Sequence, residues 1–259
     1  MIILINSSKT LNFEQPTRFS KHTIPQFLED CELLVSELRK LSVSDFAELM
    51  SVSENLATLN VRRYKNWRTP PGGSNAKQAL LAFKGDIYAA MGVDRYKMKT
   101  IDFAQKHLRI LSGLYGILRP LDLIQPYRLE MATKLATDRG KDIYRFWGSR
   151  INASLNEMLK RDKSGVVVNL ASAEYFKATK PRLLKAEVIT PVFKEYKDPS
   201  YRVVAIYAKK ARGLMCDFII QNRITRVEDL KSFNADGYRF APAHSSDREW
   251  VFTRGDIRD

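Results

Sequence analysis

Five short runs rich in β-branched and aromatic residues are spread over the whole chain: Ile2–Ile5, Val166–Leu170, Glu187–Phe193, Val203–Tyr207 and Trp250–Thr253. Each has the length of a strand rather than of a helix. Amphipathic stretches lie between many of them. Pro25 opens one at a first helical turn, with Phe27, Leu28, Cys31, Leu34, Val35 and Leu38 at helical spacing. A second helix starts near Ser44 and reads Asp45-Phe46-Ala47-Glu48-Leu49-Met50, capped by serine. Strand and helix mixed without strict alternation favour an α+β fold over a doubly wound one. No linker, repeat or low-complexity tract interrupts the 259 residues. The sequence therefore predicts one domain over 1–259, a mixed β-sheet flanked by helices. Its loosest segment is the loop at 69–75 (Thr-Pro-Pro-Gly-Gly-Ser-Asn), followed by a helical pattern from Ala76 to Ala82.

A chain that is 44% hydrophobic with 12 Gly and 10 Pro is no disordered polymer. No run approaches the ~20 apolar residues of a membrane-spanning helix. The opening Met-Ile-Ile-Leu-Ile-Asn is too short for a secretory signal and reads as a buried first strand. Two cysteines, Cys31 and Cys216, make no disulfide framework, so a cytoplasmic location is expected.

Charge speaks of function. The net charge is +14, and it is unevenly placed. Residues 61–100 hold nine basic against two acidic groups, and residues 177–231 thirteen against six. Segregated positive charge attracts polyanions, which points to nucleic acid.

The most specific local signal spans 102–131. A helix carrying Phe103, Leu108 and Leu111 on one face, with Lys106 and Arg109 outward, meets Ser112-Gly113-Leu114-Tyr115-Gly116. Two glycines flanking an apolar pair suit a tight hairpin whose main-chain N–H groups can meet phosphate oxygens at the next helix. That is similar to a helix–hairpin–helix element, although such elements usually have Gly-apolar-Gly. A plain helix–turn–strand corner is the alternative. A second basic cluster follows the expected strand at Tyr207, where Lys209, Lys210 and Arg212 crowd the start of a helix. Cations there oppose the helix dipole unless an anion balances them. Asn169 to Lys177 repeats the pattern: a buried strand ends in small polar residues, followed by Glu174, Tyr175 and Lys177.

Several segments together resemble the bacterial peroxide-stress protein family YaaA. They are Lys84-Gly-Asp-Ile-Tyr88, Leu111-Ser-Gly-Leu-Tyr-Gly116, Arg119-Pro-Leu-Asp122, Gln125-Pro-Tyr-Arg-Leu-Glu-Met131, Asn169-Leu-Ala-Ser172, Glu174-Tyr-Phe176 and Tyr207-Ala-Lys-Lys-Ala-Arg-Gly213. The resemblance runs from Ser8-Lys9-Thr10 to the last strand near Phe252. It implies a cytoplasmic protein of the peroxide response that limits iron-driven damage, with a basic cleft, a helix–hairpin–helix element and an association with DNA. Carried over residue by residue, it puts the hairpin at Gly113–Gly116 and the cleft cations at Lys84, Arg119, Arg128, Lys177, Lys209, Lys210 and Arg212.

The resulting expectation is a DNA-binding monomer that grips the backbone of duplex or branched DNA without strong base specificity, and needs no cofactor or metal. Tyr115, Tyr127, Tyr175 and Tyr207 would stack on exposed bases. The rival reading is an enzyme acting on a nucleotide or nucleic acid through a pocket of Lys9, Lys84, Asp86, Glu130, Glu174 and Lys209. No hydrolytic triad, Walker loop or dinucleotide fingerprint supports it.

Overall fold

The computed structural model describes residues 1–17, 19–72 and 75–255. Gly73 and Ser74 of the expected 69–75 loop lie outside the described residues. In chain order the elements are β1 (Ile2–Asn6), β2 (Thr10–Leu11), α1 (Leu28–Arg39), α2 (Val43–Met50), α3 (Glu54–Asn66), β3 (Lys77–Gln78), α4 (Ala79–Ala82), β4 (Phe83–Lys84) and α5 (Asp86–Met91). Next come α6 (Met98–His107), β5 (Leu108–Ser112), β6 (Gly116–Leu118), β7 (Leu123–Ile124), α7 (Ile143–Trp147), α8 (Arg150–Arg161), β8 (Val166–Asn169) and α9 (Ala173–Lys177). The chain closes with β9 (Glu187–Lys197), β10 (Ser200–Arg202), α10 (Ala205–Gln221), β11 (Arg239–Phe240) and β12 (Glu249–Arg254).

Eight strands form one mixed sheet in the order β11-β12-β9-β8-β1-β5-β6, with β10 paired to β9. The run β12, β9, β8, β1, β5 is parallel. Antiparallel partners sit at its margins: β6 on β5, β11 on β12 and β10 on β9. Two small pairs, β2 with β4 and β3 with β7, stand apart from it. The expected mixed sheet flanked by helices is what the chain forms.

The composition of each strand explains its place. Ile2, Ile3, Leu4 and Ile5 are all buried, as a strand covered on both faces must be. Val166, Val167 and Val168 behave the same way beside it. In α1 the buried stripe is Cys31, Leu34, Val35 and Leu38, as the spacing predicts. Ser42, not Ser44, caps α2, and Asp45 completes a capping box with it.

Three expectations change. The helix read through Leu111 stops at His107, and Leu108–Ser112 is strand β5, the neighbour of β1. A short apolar run buried on both sides has no periodicity that separates strand from helix. Val203–Tyr207 is no strand: β10 ends at Arg202 and α10 begins at Ala205, which puts Ala211, Met215, Cys216, Ile219 and Ile220 in the core. The helical pattern at Ala76–Ala82 is a strand for Lys77–Gln78 and a helix only over Ala79–Ala82.

Topology gives the sheet a switch point. From β1 the chain reaches β5 on one side, crosses back to β8 on the other, and continues outward to β9 and β12. The strand order reverses between β1 and β8, so the space past their carboxyl ends is where an open parallel sheet binds ligands. Among the described residues no helix is long and apolar enough to cross a membrane.

Candidate functional site

The Gly113–Gly116 turn joins β5 to β6, so a strand follows it and not a second helix. Gly113, Tyr115 and Gly116 are all buried. A Cβ on Gly113 would stand 2.3 Å from Leu129 O, and one on Gly116 (φ +66°) would stand 2.8 Å from the Trp147 ring. Trp147 Nε1 donates to Gly113 O at 2.8 Å, and Tyr115 N donates to Ser112 Oγ at 3.1 Å. These glycines admit a tryptophan and a neighbouring backbone. Phosphate cannot reach them, and the helix–hairpin–helix assignment at 113–116 is corrected.

Several expected cations are also committed elsewhere. Arg109 is interior: its Nε donates to Met158 Sδ at 2.9 Å, and Nη1 to the Gln105 and Leu108 carbonyls at 3.0 and 2.7 Å. Burial draws its guanidinium down to about 10. Arg119 binds Asp122 at 2.8 Å. Lys210 binds Asp236 at 3.1 Å, and Arg212 donates to Ala208 O and Leu170 O at 3.3 and 3.4 Å. The latter two lie in the second turn of α10, so the dipole argument fails for them. Lys177 lies over the Tyr144 ring at 4.7 Å, while Lys106 and Lys209 are exposed. Tyr115, Tyr127 and Tyr175 are buried and offer no faces to bases; Tyr207 is exposed but packs under Arg254 at 4.8 Å.

At the carboxyl end of β1 the expected pocket residues partly converge. Lys9 Nζ meets Glu130 at 2.8 Å, and Arg128 Nη2 meets the same carboxylate at 3.1 Å. Glu174 accepts from Ala132 N at 3.1 Å. Below them Tyr127 hydrogen-bonds Ser112 Oγ at 2.7 Å. Burial pushes the Tyr127 and Tyr175 hydroxyls far up, so both stay protonated. The space enclosed by Ser7, Lys9, Tyr127, Arg128, Glu130 and Tyr175 is only about 10 Å³, room for one water. Asp86 is exposed at the start of α5 and stands outside the lining of both large recesses. Among the described residues no three His, Cys, Asp or Glu converge as metal ligands.

Helices α2 and α3 are joined by a turn of three residues, a short αα-hairpin at a place where no glycine stands. Helix α2 stops at Ser51, which adopts the left-handed φ 49°, ψ 55°. Ser51 N donates to Glu48 O at 3.2 Å and Val52 N to Ala47 O at 3.1 Å, a Schellman-like stop. Ser53 then opens α3, and the two helices pack through Phe46 and Tyr64, whose rings are 6.0 Å apart. The Ser53 side chain makes no capping bond, and residues 53–55 are exposed, so the first-turn N–H groups of α3 face solvent. Serine stands at the left-handed position that glycine usually occupies.

Helix α3 also carries the charge. Arg62, Lys65 and Arg68 are exposed at its carboxyl half and just beyond. Burial lowers the Arg63 guanidinium, and the like charges of Arg62 and Arg128 lower it further, so three arginines share one positive region. Beside them a cleft of about 530 Å³ is lined by Arg62, Arg63, Asn66, Trp67, Lys84 and Gln125. Lys84, on β4 and paired with Thr10 of β2, lines both this cleft and a second recess. Of the expected cleft cations, Lys84 and Arg128 belong to this region.

Comparison with known proteins identifies the chain's kin. The profile of the family described as peroxide stress protein YaaA matches residues 1–244. A UPF0246 protein of Cellvibrio japonicus is 52% identical over 254 residues, covering 98% of each chain. One from Ralstonia pickettii is 50% identical over 254 residues, covering 98% of this chain and 99% of its own. One from Azoarcus sp. is 49% identical over 258 residues, with the same coverage.

Proposed function

The chain belongs to the peroxide stress protein YaaA family, and from that premise we propose that it protects DNA by gripping its phosphate backbone through the α2–α3 hairpin. The observation that carries this reading is the left-handed turn at Ser51 leading into an uncapped, exposed start of α3. Free N–H groups at a helix start take phosphate oxygens without regard to base sequence. Arg62, Lys65 and Arg68 extend the grip, and the Arg62–Arg63–Lys84 cleft continues it toward the sheet.

The link to peroxide follows from ion exchange. Cations neutralising phosphates expel the metal ions condensed on DNA. Ferrous iron held there would reduce peroxide to hydroxyl radical against the strand; iron displaced into solvent does so at a distance. A monomer suffices for this, and no base-reading helix is needed.

Anisotropy titration of labelled duplex, single-stranded and branched DNA across a salt series tests the reading. Two lost phosphate contacts in the double variant Arg62→Ala, Lys65→Ala should flatten the log–log salt slope by about 1.8. The same variant should protect plasmid from ferrous iron and peroxide less well than wild type. No binding at low salt, or an unchanged slope in the folded variant, refutes it.

A further inference from the structure

Across Lys84 from the cleft lies a recess of about 540 Å³, lined among others by Asn12, Gln15, Lys77, Lys84, Tyr88 and Asp94. Its volume falls in the range of small-molecule sites. Lys77 is only 7% exposed. Its ammonium donates to the Asn12 and Gln15 carbonyls at 3.0 and 2.9 Å. Among the described residues it has no carboxylate partner, and one N–H is left over. Burial lowers its proton affinity; Asp94 opposes this from a distance, and Lys84 adds to it. A buried cation satisfied only by neutral carbonyls is costly, and an anion in the recess would offset that cost.

We propose that this recess binds a phosphate monoester with a ring-sized body, a mononucleotide being the type, its phosphate held between the Lys77 and Lys84 ammonium groups. Two compact point charges facing one space match a phosphate dianion better than a single carboxylate. Leu80, Leu81 and Phe83 give the body an apolar wall. The Asn12 and Gln15 side chains, joined Nδ2 to Oε1 at 2.7 Å, give it amide groups to read. The exposed Asp94 is the acidic residue of this lining and weakens the field on an entering anion. The proposal does not rest on the DNA reading, because buried Lys77 cannot touch a duplex on the surface.

Isothermal titration with AMP, CMP, inorganic phosphate and adenosine tests it on wild type, Lys77→Met, Lys84→Ala and Asp94→Asn. Saturable binding of the mononucleotides is expected. It should weaken about tenfold or more in Lys77→Met and Lys84→Ala, and tighten about threefold in Asp94→Asn. Adenosine should not bind, and Lys77→Met should keep its duplex affinity. No saturation by either mononucleotide, or adenosine binding as tightly as AMP, overturns the proposal. Inorganic phosphate binding as tightly as AMP overturns the ring-sized body. Should Lys77→Met not fold, unchanged affinity in both Lys84→Ala and Asp94→Asn overturns it as well.

Discussion

Replacing Gly116 by valine separates a structural turn from a DNA grip. Gly116 sits at φ +66°, where a side chain costs about 1–2 kcal/mol, and a β-branched one no less. Its new Cβ would lie 2.8 Å from Trp147. That ring cannot swing away, because Nε1 is bound to Gly113 O and Phe27 and Phe146 pack it at 5.5 and 5.2 Å. Overpacking of this kind adds about 1–3 kcal/mol. The sum, roughly 2–5 kcal/mol, corresponds to a Tm lowered by roughly 4–20 °C for a chain of this size. Circular-dichroism melting gives the Tm, and anisotropy well below the variant's Tm gives DNA affinity. The expected result is a large loss of stability with affinity within about twofold of wild type. A variant that melts like wild type yet no longer binds DNA would refute the reasoning and return the grip to Gly113–Gly116.

Two further perturbations probe the rest of the molecule. The amino terminus of Met1 pairs with Asp162. Burial opposes the Asp162 charge, but the amino group and Ser164 hold its carboxyl below the usual range. A lowered carboxyl pKa stabilises above the unfolded value and stops doing so as pH falls through the folded one. Asp162→Asn should therefore lower Tm by a few degrees at neutral pH, roughly 1 kcal/mol, with the gap closing in acid; a gap constant with pH would contradict this. Cys31 and Cys216 are both fully buried, and burial raises both thiols well above their ordinary value. Neither should react with a thiol reagent or with peroxide in the native protein, and both should react in guanidinium; rapid native labelling of either would make thiol chemistry part of the peroxide response.

What was legible in the sequence follows from what each segment packs against. Ile2–Ile5 and Val166–Leu170 read as strands because central parallel strands are apolar throughout, and the α1 stripe read as a helix because one face alone is buried. Leu108–Ser112 did not, since it follows His107 with no Gly or Pro to mark the change. Glycine spacing points to Gly113 and Gly116, whereas the hairpin between helices uses Ser51-Val52-Ser53. The available signal was that short polar interruption between two helical runs. Lys77 carried no signal at all: within Asn75-Ala-Lys-Gln78 it looks like any solvated lysine, and only the fold closes over it.

Charge segregation was the strongest functional cue in the sequence, and the structure divides its two halves. In the 177–231 stretch the cluster singled out from sequence is largely spent on the fold: Lys210 and Arg254 share Asp236, and Arg212 turns inward to carbonyls. Lys231 and Arg226 face Glu228 and Asp229 at short range. The 61–100 stretch holds two acidic residues among its forty, Asp86 and Asp94, and α3 lifts its arginines beside one another against their own repulsion. Repulsion that folding tolerates within a single helix and its neighbouring cleft leaves free energy for any polyanion that relieves it. Long-range attraction should therefore come from 61–100, and the salt dependence of binding should track Arg62, Lys65 and Arg68 rather than Lys209, Lys210 and Arg212.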